Sequence, residues 1–225
     1  MHDVAIRREI IERVLARRGR LHLYDALDSG RTALVVIDMQ NAFVAPGAPI
    51  EVAGARAIVP NINRLAAELR RRGAPVIWVL HENQPDGRDW ERFFGCFVAP
   101  ENRARAAQAL AAGSPLQRLW PELAVQAGDV LLTKNRYSAL IPSASSLPDV
   151  LRAKRIDTLL IAGTKTNVCC ECTARDAMML DYNVVLLSDC TAALSDEEHL
   201  ATLENVIQQF GDVMSADEAL ALLTP

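Results

Sequence analysis

The sequence predicts an α/β protein in which parallel strands are covered by helices. Two observations carry this. Short continuous apolar runs, TALVVI at 32–37 and TLLIA at 158–162, have the composition of central strands buried on both faces. Between such runs lie stretches with apolar residues three and four apart, so helix and strand alternate along the chain. At 225 residues, 50% of them hydrophobic, the chain can bury one large core. A single domain over residues 1–225 is expected, with 1–28 as a helical extension.

The elements follow in order. Residues 4–18 (VAIRREIIERVLARR) place Val4, Ile6, Ile10, Ile11 and Val14 or Leu15 at helical spacing. This is an amphipathic helix that docks on the body of the protein or on a second subunit. The strand at 32–37 ends in Asp38-Met39-Gln40-Asn41, and Ala45-Pro46-Gly47-Ala48-Pro49 reads as a turn cluster. Residues 55–72 form a helix with Ile58, Ile62, Leu65, Ala66 and Leu69 on one face. Arg70, Arg71 and Arg72 suit its negative end, and Gly73 suits the turn that closes it. The strand from Pro75 to Leu80 follows at once, which makes a right-handed βαβ unit.

Residues 84–122 are the least regular stretch. They hold the aromatic cluster Trp90, Phe93, Phe94 and Phe97, and a helix over 106–112 that Gly113-Ser114-Pro115 breaks. An irregular insertion at the ligand end of a sheet shapes the pocket, so Trp90 with Phe93 or Phe94 is expected to line it. A strand over 129–133 leads into Lys134. Ser145 or Ser146, with Pro148 in the first turn, opens a helix through Lys154. A strand at 183–187, a helix over 196–210, a short strand at Val213-Met214 and a last helix to Leu223 complete the chain. SDEE at 195–198 and SADE at 215–218 are capping boxes.

Composition narrows the function classes. A net charge of -4 gives no basic footprint for nucleic acid or an anionic membrane surface. No apolar run is long enough for a membrane span and no leader pattern is expected. Five cysteines, three of them crowded at 169, 170 and 172, fit a reduced cytoplasmic compartment better than a disulfide scaffold. His81 has no second histidine at metal-ligand spacing, and no histidine completes the cysteine cluster. No metal and no cofactor is expected; His81, at the end of a strand, could touch the crevice or be a structural histidine, and His199 reads as structural.

The stretch DTLLIAGTKTNVCCECTARDAMML at 157–180 is the focus of the chain. A buried strand breaks at Gly163, a polar turn follows, and a helix begins at Cys169 with Ala174, Ala177, Met178 and Leu180 as its apolar stripe. Ligands of open α/β sheets bind at the carboxyl ends of the strands. Free N–H groups and the positive end of a helix favour a thiolate and can hold an oxyanion. Cys169 is therefore a candidate nucleophile, the alternative being a small buried cysteine at a helix start. Asp38 and Lys134 end two other strands and would face the same crevice, the alternatives being an Asp that caps the next turn and a surface lysine.

Together, VVIDMQNAF, LLTKNRYSA and AGTKTNVCCECTARDA resemble the three motif regions of the isochorismatase-like cysteine hydrolases, over roughly residues 30–222. The resemblance implies a Rossmann-like three-layer α/β/α fold with a mostly parallel sheet of about six strands. It also implies a triad of Asp38, Lys134 and Cys169. Asp38 would take the thiol proton, Lys134 would hold the charge distribution, and Cys170 and Cys172 would point into helix packing. The oxyanion would sit on the backbone N–H groups of Lys165 and Cys169, after a cis peptide between Thr164 and Lys165. The implied reaction is hydrolysis of a C–N bond in a small amide, ureido or N-carbamoyl substrate through a thioester, nearest to the ureidoacrylate and N-carbamoyl group. A vinyl-ether hydrolase or a nicotinamidase-type amidase is the alternative. Asn41, Trp90, Phe93, Arg136 and Tyr137 are the candidate substrate contacts, and a homo-oligomer, dimer or tetramer, is expected.

Overall fold

The structure is a computed structural model that describes residues 2–224. Six strands make the central sheet: β2 (Thr32–Ile37), β3 (Val76–His81), β4 (Val130–Lys134), β5 (Thr158–Thr164), β6 (Asn183–Ala192) and β7 (Asp212–Met214). All pairings are parallel, in the order β4-β3-β2-β5-β6-β7. This is the α/β layered fold that the sequence predicts.

Strand periodicity divides the core into two layers. Leu34 and Val36 of β2 face one cluster, with Ile58, Ile62, Leu65 and Leu69 of α3 (Ala55–Arg71). Ala33, Val35 and Ile37 face the other. There they meet Leu151 of α6 (Leu147–Ala153), Ala174 and Ala177 of α7 (Glu171–Met179), and Val206 and Ile207 of α8 (Asp196–Gln209). Each fully buried aliphatic side chain of this kind contributes about 1.5–3 kcal/mol.

The order of the strands positions the site. From β2 the chain moves outward through β3 to β4, then returns to lay β5 on the other side of β2 before moving outward again through β6 and β7. The crevice between β2 and β5 is thus the topological switch point, the place where an open parallel sheet takes its ligand. The two strands approach closely there. Gly163 pairs with Ile37 at φ +111°, and a Cβ on it would lie 2.0 Å from the Ile37 carbonyl oxygen. Only glycine satisfies both conditions.

Several elements differ from the sequence expectation. The N-terminal helix α1 spans Arg8–Arg18 and does not begin at residue 4. Arg7 is extended, and its amide and guanidinium both bind Glu204 of α8, so Val4 and Ile6 pack as an extended segment. Leu15 is exposed, and Ile10 and Val14 carry the buried face. Of the expected stripe only Ala174 and Ala177 are buried, while Met178 and Leu180, the latter just past the end of α7, are exposed. β6 runs five residues beyond the expected Leu187 because its register on β5 shifts between Ile161 and Gly163. The insertion holds α4 (Glu91–Cys96) and α5 (Arg103–Ala109), the latter three residues ahead of the expected helix. A two-residue strand β1 (Leu27–Asp28) pairs parallel with β8 (Leu223–Thr224) and ties the segment before β2 to the last described residues. The remaining helices are α2 (Asn41–Val44) and α9 (Ala216–Leu222).

The caps follow side-chain chemistry. Ser195 Oγ accepts from the Glu198 amide, and Ser215 with Glu218 forms the full reciprocal box on α9. For α6 the capping oxygen belongs to Ser145, which accepts from the Leu147 amide at 3.1 Å. No helix among the described residues is long and apolar enough to cross a membrane.

Candidate active site

The carboxyl ends of β2, β3, β4 and β5 bring four side chains together. Lys134, the last residue of β4, pairs in register with His81, the last of β3. Its ammonium donates to Asp38 Oδ2 at 2.9 Å and to the Arg136 carbonyl at 3.1 Å. It lies 3.2 Å from His81 Nδ1 and 3.5 Å from Cys169 Sγ. The side chains of Lys134 and Asp38 are 0% exposed.

Local backbone geometry aims each group. Asp38 follows β2 with φ +54°, a left-handed conformation that costs a non-glycine residue about 1–3 kcal/mol. Its amide still bonds the Val79 carbonyl at 2.8 Å, so the turn happens after the ladder ends. Gln40 locks the neighbouring strand end: its side-chain oxygen accepts from the His81 amide at 2.7 Å and its nitrogen donates to the His81 carbonyl at 3.0 Å. After β5 the peptide between Thr164 and Lys165 is cis. A π-helical turn, Thr166–Cys170, then leads into α7 and carries Cys169. The Lys165 carbonyl accepts from the amides of Val168 at 3.1 Å and Cys170 at 3.2 Å. His199 braces this turn from α8, with Nδ1 2.9 Å from Thr166 Oγ1.

The electrostatics depart from the sequence expectation in one respect. A helix start predicts a lowered thiol pKa, but burial pushes the Cys169 thiol up and the Asp38 carboxylate adds to this, outweighing Lys134. Burial also raises the Asp38 carboxyl, against the pull of Lys134. Burial lowers Lys134, but the charges of Asp38 and Cys169 and their hydrogen bonds together outweigh it and hold the ammonium above its ordinary value. The buried carboxyl and ammonium lie within ion-pair distance, and the raised thiol is neutral at rest. Burial and the Lys134 charge hold His81 well below its usual range, so it is a neutral imidazole whose Nδ1 accepts from the ammonium. Among the described residues Asp38 Oδ1 is buried without a hydrogen-bond partner, an acceptor atom beside the site.

Above these groups opens a cavity of about 450 Å³, lined by Cys169, Lys165, His81 and Tyr137 and by the aromatic residues of the insertion. Trp90 and Phe93 line it as expected from their position, and so does Phe94. Arg136 does not line it; its guanidinium lies over the Trp90 ring, 5.2 Å from the centroid. Asn41 is also outside the lining, its amide donating to the Pro115 carbonyl at 2.8 Å. Cys170 is fully buried against the core, whereas Cys172 is only half-buried. Among the described residues no cluster of three or more His, Cys, Asp or Glu side chains is placed to hold a metal ion. Sequence reasoning passed over Gln40 and set His81 aside as structural. His81 carried the same signal as Asp38 and Lys134, a polar residue closing a buried strand.

Sheet and site together define an α/β enzyme of the isochorismatase-like hydrolase class. The chain belongs to the isochorismatase family, whose model, the isochorismatase domain, matches residues 32–218. The chain is similar to ureidoacrylate amidohydrolase RutB of Pseudomonas syringae pv. syringae (strain B728a), 34% identical over 87% of this chain and 85% of that protein. Its fold is similar to that of a cysteine hydrolase from Pseudomonas syringae pv. phaseolicola 1448A, with TM-score 0.82 and 31% identity, covering 90% of this chain and 96% of the other. It also resembles N-carbamoylsarcosine amidase from Thermoplasma acidophilum, with TM-score 0.66 and 27% identity over 83% and 97% of the two chains.

Proposed function

We propose that the protein hydrolyses a C–N bond of a small ureido or amide substrate, with Cys169 as nucleophile, Asp38 as general base and acid, and Lys134 as the fixed positive charge. The observation that carries this reading is the buried Lys134 ammonium bridging Asp38 at 2.9 Å and the Cys169 sulfur at 3.5 Å on the floor of a cavity. The likeness to a ureidoacrylate amidohydrolase and an N-carbamoylsarcosine amidase supports the ureido class.

The thiol proton moves to Asp38 as the sulfur adds to the carbonyl carbon, so the thiolate exists only in the reacting complex. The oxyanion is held by the amides of Lys165 and Cys169, following the cis peptide. The C–N bond then breaks, and ammonia or an amine leaves with the proton from Asp38. Water, deprotonated by Asp38, adds to the thioester carbonyl and frees the sulfur. A ureido substrate is left as a carbamate, which decays to an amine and carbon dioxide. No cofactor is needed for these steps. Trp90, Phe93 and Tyr137 contact the substrate, while Arg136 holds Trp90 in place. The protein works as a homo-oligomer in a reducing, cytoplasmic setting.

The test is ammonia release from a panel that includes ureidoacrylate, N-carbamoyl amino acids and primary amides, with Cys169→Ala alongside. Turnover that falls roughly a thousandfold or more in the variant is the expected result. Turnover that survives the substitution would overturn the nucleophile, and a panel that releases no ammonia at all would favour vinyl-ether chemistry.

A further inference from the structure

The proposed reaction needs only a small site, yet the cavity is drug-sized at about 450 Å³. One of its walls is a ladder of stacked rings. Phe97 stacks on Phe93 (centroids 6.1 Å apart, 14° between planes), Phe93 on Trp90 (4.8 Å, 26°), and Trp90 on His81 (5.9 Å, 23°). His81 in turn touches the Lys134 ammonium. The ladder thus runs from the floor of the site to Phe97, which lines the cavity while remaining 78% exposed. Tyr137 buttresses it with edge contacts to Trp90 and Phe93. Such a wall favours a flat body through apolar burial and ring–ring geometry.

The charge of the cavity is one-sided. Arg105 of α5 and Lys165 line it, and no carboxylate is found among its described lining residues. Arg105 has no carboxylate partner among the described residues; its one side-chain bond goes to Asn102 Oδ1 at 3.3 Å. Both Arg105 and Asn102 are exposed, so they stand at the mouth. An arginine fork in this position is suited to a carboxylate.

We infer that the substrate is an anionic ureido or amide compound with a flat, aryl-sized body, its ring lying on the Phe97–Phe93–Trp90 ladder and its carboxylate on Arg105. This deepens the proposed function and rests on it for the chemistry. The mouth of the cavity selects the substrate, and the strand ends act on it.

The probes are three compounds that separate the features: 4-ureidobenzoate with both, phenylurea without the carboxylate, and ureidoacetate without the ring. Binding is measured by calorimetry on the Cys169→Ala chain, where no turnover interferes. We expect 4-ureidobenzoate to bind at least tenfold tighter than either partner compound. Arg105→Gln should narrow the gap to phenylurea, and Phe97→Ala the gap to ureidoacetate, each by threefold or more. Both side chains are exposed, and circular dichroism checks that the variants keep the fold. If either gap is absent, or survives its own substitution, the inference falls. In the wild-type chain, turnover of ureidoacetate that equals or exceeds that of 4-ureidobenzoate also overturns the inference and leaves C–N hydrolysis standing. Selective binding without turnover of any of the three counts against C–N hydrolysis and leaves the recognition in place.

Discussion

Replacing Lys134 with methionine removes one charge from a pair that has no access to water. At 2.9 Å the Lys134–Asp38 attraction is about 6 kcal/mol at an effective dielectric constant of ~20. Burying the two ions costs several kcal/mol each, so the pair as a whole contributes little net stability. Breaking it is another matter. Lys134→Met leaves the Asp38 carboxylate uncompensated with its Oδ1 already lacking a partner, and it strips His81 Nδ1 and the Arg136 carbonyl of their donor. The expected loss is about 3–5 kcal/mol. Asp38→Asn strands the ammonium in the same way, and asparagine tolerates the left-handed backbone at this position. The double variant Asp38→Asn/Lys134→Met removes both charges and should recover to within about 2 kcal/mol of the wild type. Urea unfolding of the four chains closes the cycle. A coupling energy below about 0.5 kcal/mol, or a Lys134→Met chain within about 1 kcal/mol of wild type, would refute the buried-pair reasoning.

Other outcomes follow from particular contacts. Gly163→Ala combines a Cβ placed 2.0 Å from the Ile37 carbonyl with φ +111°. It should lower stability by roughly 2–6 kcal/mol, and an unchanged unfolding midpoint would disprove the close approach. Because burial and Asp38 push the Cys169 thiol up, its alkylation by iodoacetamide should keep accelerating as pH passes 9.0, the ordinary cysteine value; a plateau near neutrality would mean a resting thiolate. His199 is depressed by burial, and then by His2, to about 4 from 6.5. The folded state therefore binds fewer protons there than the unfolded state. The histidine contributes stability above pH 6.5 that is lost as pH falls toward 4, by up to about 3 kcal/mol. His199→Gln should flatten that part of the stability profile, and an undiminished slope would assign it elsewhere. Ser215→Ala removes the hydroxyl half of the α9 box, the bond from the Glu218 amide, and leaves the backbone half in place; it should cost about 1 kcal/mol in the same unfolding assay, whereas no change would show that the cap is idle.

What the sequence revealed depended on the length scale of the signal. Continuous apolar runs located β2 and β5 because burial on both faces demands them over several residues. Asp38, Lys134 and Cys169 were legible as polar residues closing such runs, and their motifs named the family. β1 and β8, two residues each, have no periodicity to read and exist because two segments far apart in sequence meet. Arg7 ended the helical pattern early through a contact with Glu204, which lies 197 residues away. The thiol's proton affinity was misjudged for a related reason. A helix terminus is visible in the sequence, but the depth to which Cys169 is buried beside Asp38 is a property of the assembled layers. His81 was readable by the rule that found Asp38 and was set aside only because histidines in cores are common.

The return of the chain to β2 has a consequence for synthesis on the ribosome. β2 emerges early and pairs on one side with β3, but its other edge waits for β5, whose register partner for Thr32 is Thr158. For the whole interval in between, a growing chain carries an apolar strand with one row of N–H and C=O groups unpaired, the kind of edge that recruits other strands. The step that shields this edge is the same step that carries Gly163 to Ile37 and brings Cys169 toward Asp38. A nascent chain therefore gains its candidate nucleophile and covers this edge in one event.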